Sequence, residues 1–329
     1  MKFSLVAIGL LIVATNALPT ATSNEDVAAP VNLAKRASIT DAANGYASLN
    51  GGTTGGKGGT TTTVSTYAQF TAAVSSDSAK IVVVSGTITQ SAAQVKVGSN
   101  TSIIGKSSSA KLVGFGLIVK SKKNVIIRNL TIQKVLADNG DAIGVQLSIN
   151  VWIDHCDLSS DRDHDKDYYD GLIDLTHAAD YVTVSNSFIH DHWKASLVGH
   201  SDSNSAEDTG HLRVTYNNNY WSNINSRTPS LRFGTGHIYN SYFLNVADGI
   251  NTRLGAQVLV QSNVWAGTVS KPLYSTDDGY AVESGNDFGG KSNTALAGTL
   301  KTVPYSFTLL GSGSVKAAVV GSAGATLSF

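Results

Sequence analysis

Between Asp161 and Asp174 the chain places six carboxylates within fourteen residues, in the run D-R-D-H-D-K-D-Y-Y-D followed by G-L-I-D. Asp170 and Asp174 lie four apart with Gly171 between them. Like charges this dense repel, and hard oxygen donors gathered in one place are what Ca²⁺ requires; a bound cation would relieve the repulsion. The composition alone is equally that of a solvated acidic loop. An EF-hand is excluded, because the alternating Asp residues lack the Gly and the terminal Glu at the required spacing. Asp141, in D-N-G-D-A-I-G-V-Q, joins the same place if the chain coils back on itself at that interval.

The basic residues Lys194, Arg227 and Arg232 follow the acidic segment. Brought into one groove, acid on one side and base on the other would hold an anionic polymer through bridging cations and ion pairs. Taken singly, each is also explained by surface charge balance. His190, His192 and His200 flank Lys194, and histidine as a residue type suits a general base or a metal ligand; they are assigned structural roles. His155 is read as a turn-packing residue, and Trp152, Trp193, Trp221 and Trp265 as packing or groove-wall residues.

The elements that must position these groups show as a repeat. Six short runs align: V-I-I-R-N from Val125, V-W-I-D-H from Val151, V-T-V-S-N from Val182, L-R-V-T-Y from Leu212, G-H-I-Y-N from Gly236 and V-L-V-Q-S from Val258, at intervals of 26, 31, 30, 24 and 22 residues. Apolar residues at the first and third positions, Gly236 excepted, describe a strand with one buried face. Polar residues at the fourth and fifth describe the turn leaving it. Tight Asn-Gly turns of hairpins do not dominate, so the repeat predicts a solenoid of parallel strands, an all-β, single-domain parallel β-helix. Asn217 and Asn263 are placed in register with Cys156, where Asn side chains could bond along the stack. The longer intervals, Asp161–Asp170 and His200–Gly210, are insertions projecting as loops from one face.

The balance of 24 Lys and Arg against 24 Asp and Glu creates no global field toward nucleic acid or a membrane. With 32 Gly and only 15% charged residues, long amphipathic helices are disfavoured and short strands with many turns favoured. Cys156 is the single cysteine, so no intramolecular disulfide forms and stability must come from a large core; it is read as a small buried residue. Lys2, the apolar run Phe3–Val13 and small residues up to Ala17 have the order of a signal peptide, and are too short for a membrane span of about 20 residues. The expected organisation is a leader over 1–17, a propeptide over 18–36 ending at the dibasic pair Lys35-Arg36, and a β-helix domain over 37–329, secreted and monomeric. Asn100 and Asn129 head glycosylation sequons, Asn129 at a strand end.

W-I-D-H-C, D-G-L-I-D, H-D-H-W-K-A-S-L-V-G-H-S-D and R-T-P-S-L-R-F-G together resemble the pectate lyases of polysaccharide lyase family one, in the family's order and over about Ser38 to the C-terminus. The resemblance implies a right-handed parallel β-helix with Ca²⁺ held by Asp141, Asp170 and Asp174, Arg227 as base, and Lys194 and Arg232 on substrate carboxylates. Asn139 falls where some relatives carry a further acidic ligand. The implied substrate is polygalacturonate, cleaved by elimination into 4,5-unsaturated oligogalacturonates. Removing the C5 proton leaves charge that delocalises into the adjacent carboxylate, which cations stabilise. Arginine is normally always charged; the nearby cations Lys194, Arg232 and Ca²⁺ favour release of its proton, which predicts an alkaline optimum.

Three alternatives stand beside this reading. A pectin lyase acting on methyl-esterified polymer would dispense with the carboxylates at Asp141, Asp170 and Asp174. A polygalacturonase-type hydrolase needs an acid pair to protonate the leaving oxygen and activate water, and its motif set is absent. A non-catalytic carbohydrate-binding β-helix would not need Lys194, Arg227 and Arg232 together.

Overall fold

The computed structural model describes Met1 and residues 37–329. The expected leader, propeptide and dibasic site fall within residues 2–36, outside the described residues.

Among the described residues the strands form three parallel sheets. The first sheet has eleven strands and runs from Thr60–Val64 to Leu296–Ala297. The second has eight, from Thr87–Thr89 to Val264–Ala266, and the third has eight, from Val95–Lys96 to Lys271–Thr276. Successive coils visit the three sheets in turn, so each strand pairs with its equivalents one coil before and after. This is a right-handed parallel β-helix, the parallel solenoid that the repeat predicts with the hand that the family resemblance implies.

The repeated runs form the middle of the first sheet. Val125 pairs with Val151, Val151 with Val182, Gly236 with Val258. One register differs from the sequence alignment: Val182 pairs with Val214, and Val214 with Gly236, so the fourth unit starts at Val214 rather than Leu212. A slip of two preserves which face each side chain takes, which is why alternation alone could not detect it. The shift also corrects the stack at Cys156. Its register mate is Asn219, not Asn217: Cys156 N donates to Ser187 Oγ (3.1 Å), Ser187 N to Asn219 Oδ1 (2.9 Å), Asn219 N to Ser241 Oγ (3.3 Å) and Ser241 N to Asn263 Oδ1 (2.9 Å). This buried ladder satisfies backbone donors that the corner between sheets would otherwise orphan.

The first and third positions of each run fill the bore: Val125, Ile127, Val151, Ile153, Val182, Val184, Val258 and Val260 are all fully buried in one core. Gly236 is small because a Cβ there would lie 2.9 Å from Leu231 Cδ1 and 3.1 Å from Val258 Cγ1; its slot is already filled. The fifth position takes the left-handed backbone in coil after coil, at Asn129, His155, Asn186, Asn240 and Ser262. Asn tolerates that region best among residues with a side chain. Trp221 and Trp265 stack on either side of Phe243 within the core, with centroids 5.8 and 4.5 Å away. Trp152 lies in a separate cluster with Ile81, Ile104, Ile126 and Ala47. Cys156 is fully buried and burial pushes its thiol up to about 12, so it is an unreactive packing group.

The helix Tyr67–Val74, capped at Thr66 and burying Phe70 and Val74, closes the core beside the first strands. Asn129 is fully buried, and its Nδ2 donates to Gly105 O (2.8 Å) and Leu327 O (2.9 Å), so this sequon is closed in the folded chain.

Candidate active site

Four successive coils turn the same corner from the second sheet to the third. Asp141 lies between the strands Thr131–Gln133 and Ile143–Gln146, and Asp170 closes the acidic loop between Asp157–Ser159 and Ile173–Thr176. Lys194 ends the strand Phe188–Lys194, and Arg227 follows Tyr220–Ser226. Lys194 pairs with Ser226 across the ladder, which sets Arg227 one residue beyond it. Strand spacing of about 4.8 Å thereby turns distant sequence positions into lateral neighbours. Asp174 and Arg232 lie on strands of the third sheet that follow this corner.

Asp141 and Asp174 meet at Gly171. Gly171 N donates to Asp141 Oδ1 (3.0 Å), and a Cβ on Gly171 would stand 2.5 Å from Asp174 Oδ1 and 2.8 Å from Asp141 Oδ1. Leu197 N donates to Asp174 Oδ1 (3.2 Å). Burial, with repulsion from Asp174 and Asp170, pushes Asp141 up to about 9. Burial also pushes Asp174 up to about 7, against the pull of the Arg227 charge and with Asp170 adding to the rise. Among the described residues no three His, Cys, Asp or Glu side chains converge as a closed metal cluster. The donors are nevertheless all oxygen, and their mutual repulsion is what a hard divalent cation relieves. Asn139 donates through Nδ2 to Ser91 Oγ (3.3 Å) and Gly114 O (3.2 Å).

The backbone of Asp170 is fixed from inside. His192, 1% exposed, lies 2.6 Å through Nε2 from Asp170 O. Burial pushes this imidazole down to about 4, so it is neutral, and Nε2–H is the donor. Trp193 Nε1 donates to His164 O (2.9 Å), and the Arg162 guanidinium sits 4.5 Å from the Trp193 ring, tying the acidic loop to the same strand. His190 bonds Asp157 (3.1 Å) and Asp191 (2.7 Å) and stacks on Phe188, while His200 stacks on His177.

The basic residues differ in their partners. Lys194 Nζ is 2.9 Å from Asp167 Oδ1 and 3.9 Å from Asp170 Oδ1. Arg232 donates from Nε to Asp202 Oδ1 (2.6 Å) and from Nη1 to Gly199 O (2.9 Å). Arg227 is half-buried, takes the left-handed backbone at φ 63°, and its carbonyl accepts from Ser196 N (2.8 Å). Among the described residues its guanidinium has no ion pair and no hydrogen bond. A cavity of about 360 Å³ lies against the end of the preceding strand, lined by Asp165, Lys166, Trp193, Lys194, Asn225 and Ser226.

All six sequence-predicted site residues therefore fall on one corner and the adjoining sheet. Sequence reasoning counted Asp167 in the acidic run but not its ion pair with Lys194, and missed Asp202 and Arg253. Arg253 pairs in register with Arg232 and shares Asp202 with it (3.2 Å). The 21-residue step from Arg232 to Arg253 is one coil, so the repeat period was a signal that could have found it.

A family model described as pectate lyase matches residues 7–327. The chain is 74% identical to a probable pectate lyase A of Aspergillus fumigatus, over 100% of both chains, and 70% identical to pectate lyase A of Aspergillus niger, over 100% of this chain and 99% of the other. Among solved structures it is similar to a pectate lyase from Bacillus sp. N165 in complex with trigalacturonate, with a TM-score of 0.79 and 34% identity, covering 86% of this chain and 98% of that one. With the fold and the motifs in agreement, this chain belongs to the pectate lyase family.

Proposed function

We propose that this chain is secreted and cleaves de-esterified galacturonan by β-elimination, with Arg227 as the base that removes the C5 proton. The observation that carries the reading is the half-buried Arg227, whose guanidinium has no partner among the described residues, on the same corner as the Asp141–Asp174 carboxylates. The similar Bacillus pectate lyase was solved in complex with trigalacturonate, which supports a uronic acid polymer as substrate here.

Lys194 and Arg232 hold substrate carboxylates by charge-assisted hydrogen bonds, exchanging Asp167 and Asp202 for the incoming anion. Arg227 is held by its backbone, through its carbonyl on Ser196 N, while its side chain stays free to meet the sugar ring. As the C5–H bond breaks, its electron pair delocalises into the adjacent carboxylate; as the C4–O bond breaks, that pair becomes the C4–C5 double bond, and the departing oxygen takes a proton from water and leaves as a hydroxyl. Asp141, Asp170 and Asp174 would hold Ca²⁺, which when bound would supply positive charge to stabilise the negative charge that develops during the reaction. His192 keeps the Asp170 backbone in place from beneath.

Elimination yields an unsaturated fragment one water lighter than hydrolysis would, so mass spectrometry of digested polygalacturonate separates the two. The Lys2 and Phe3–Val13 leader pattern supports secretion. No helix among the described residues is long and apolar enough to cross a membrane. A monomer suffices for the reading, since the corner is built from one chain.

A further inference from the structure

We infer that a lysine-lined pocket at the N-terminal end of the third sheet is a distal subsite for galacturonate carboxylates, extending the groove beyond the reaction centre. The inference rests on the galacturonan reading above. The pocket is a cavity of about 470 Å³ whose walls include Gln94, Lys96, Ile118, Lys120, Lys122 and Gln146.

Its position follows from sheet register. Lys96 pairs with Ile118, Ile118 with Gly144 and Gly144 with Asp174, so Lys96 shares a column with the carboxylate at the site. Three strand steps separate them, about 14 Å. Lys120 pairs with Gln146 and Gln146 with Thr176, in the parallel column two residues along. Gln94 joins the two places: its Nε2 donates to Asp141 O (3.0 Å) and to Leu117 O (3.2 Å). The pocket therefore abuts the turn that carries Asp141.

Charge gives the ligand class. Lys122 is paired with Asp77 at 2.8 Å, but Lys96 and Lys120 are exposed and have no carboxylate partner among the described residues. The same sheet carries Arg232 and Arg253 at its other side of Asp174. Cations thus flank the central carboxylates on both sides, the Gln146 amide has N–H groups to donate to a carboxylate, and Gln94, whose N–H groups go to Asp141 O and Leu117 O, offers its Oε1 to a sugar hydroxyl. An extended polymer with a carboxylate on each sugar meets both cationic ends at once. A short oligomer seated at Arg227 reaches only one.

The test compares the wild type with Lys96→Gln/Lys120→Gln on polygalacturonate and on trigalacturonate at low ionic strength. The double variant is expected to raise KM on the polymer by about three- to tenfold, with kcat and the kinetics on trigalacturonate unchanged. Salt should shrink the difference. An unchanged polymer KM, or an equal loss on both substrates, overturns the inference. Direct binding of polygalacturonate to both proteins is measured alongside. Wild type that binds but gives no unsaturated product defeats the elimination reading, whereas binding equal in both proteins defeats the subsite. Melting curves that coincide show that both proteins are folded, as expected for exposed, unpaired side chains.

Discussion

Asp141 and Asp174 come from adjacent coils yet approach the same face of Gly171, each with Oδ1 closer than 3 Å to where a Cβ would be. Glycine here is a spacer that lets two carboxylates share one point. Its backbone N–H also holds Asp141 at 3.0 Å.

Gly171→Ala should therefore push both carboxylates away from their common point. The expected result is a Ca²⁺ affinity lower by about 10- to 100-fold, the usual effect of disturbing the groups that orient ligands, with the fold intact. Calorimetric titration with Ca²⁺ checks it, and unaltered affinity would contradict the spacer role.

Arg227→Lys keeps a positive charge but loses the planar fork. Turnover should fall by about 10²–10⁴-fold, the range for a general base, while polymer binding, which the proposal assigns to Lys194 and Arg232, changes little. Steady-state kinetics beside a binding isotherm separate these, and a variant with near-normal kcat would remove Arg227 from the base role.

Asp154 predicts the acid limit of the fold. Burial alone would raise its pKa, but hydrogen bonds from His155 and Ser185 and the charge of Arg128, 2.7 Å away, hold it below the ordinary carboxylate range. A depressed pKa contributes stability above the unfolded value near 3.8, lost as pH falls through the folded one. Asp154→Asn, which breaks the buried ion pair, should cost about 3–5 kcal/mol at neutral pH and flatten the acid arm of the stability profile. Denaturant melts across pH 2–7 measure both; an acid arm as steep as in wild type counts against this.

The internal ladder gives a prediction away from the site. Asn219→Ala removes the acceptor of the buried Ser187 N–H. A loss of about 1–3 kcal/mol is expected, whereas Asn217→Ala, which removes a side-chain bond to the half-buried Asn44 and leaves no backbone N–H without its acceptor, should cost less. Equal losses would return the ladder register to the one read from sequence.

Much of this was legible because a solenoid repeats. Apolar residues at alternate positions of the Val125, Val151, Val182 and Val258 runs disclosed the strands and their buried face. The motif residues Asp141, Asp170, Asp174, Lys194, Arg227 and Arg232 then fell on consecutive coils. The two-residue slip at Val214 was invisible because Leu212 and Val214 both look inward-facing in a period-two pattern. The partners Asp167 and Asp202 were hidden for a different reason: they come from insertions whose length follows no repeat. His192 read as structural, and it is, yet its neutral ring lies directly beneath the Asp170 backbone, a relation only the packing of Phe188–Lys194 against the loop discloses.

The most direct test is ultraviolet absorbance of the unsaturated product during polygalacturonate digestion, first with chelator and then with Ca²⁺ restored. Elimination driven by Arg227 and held in place by Ca²⁺ on Asp141, Asp170 and Asp174 predicts no absorbance rise in chelator and full recovery on adding Ca²⁺. An undiminished rise in chelator would contradict the calcium site, and no rise under either condition would contradict elimination itself.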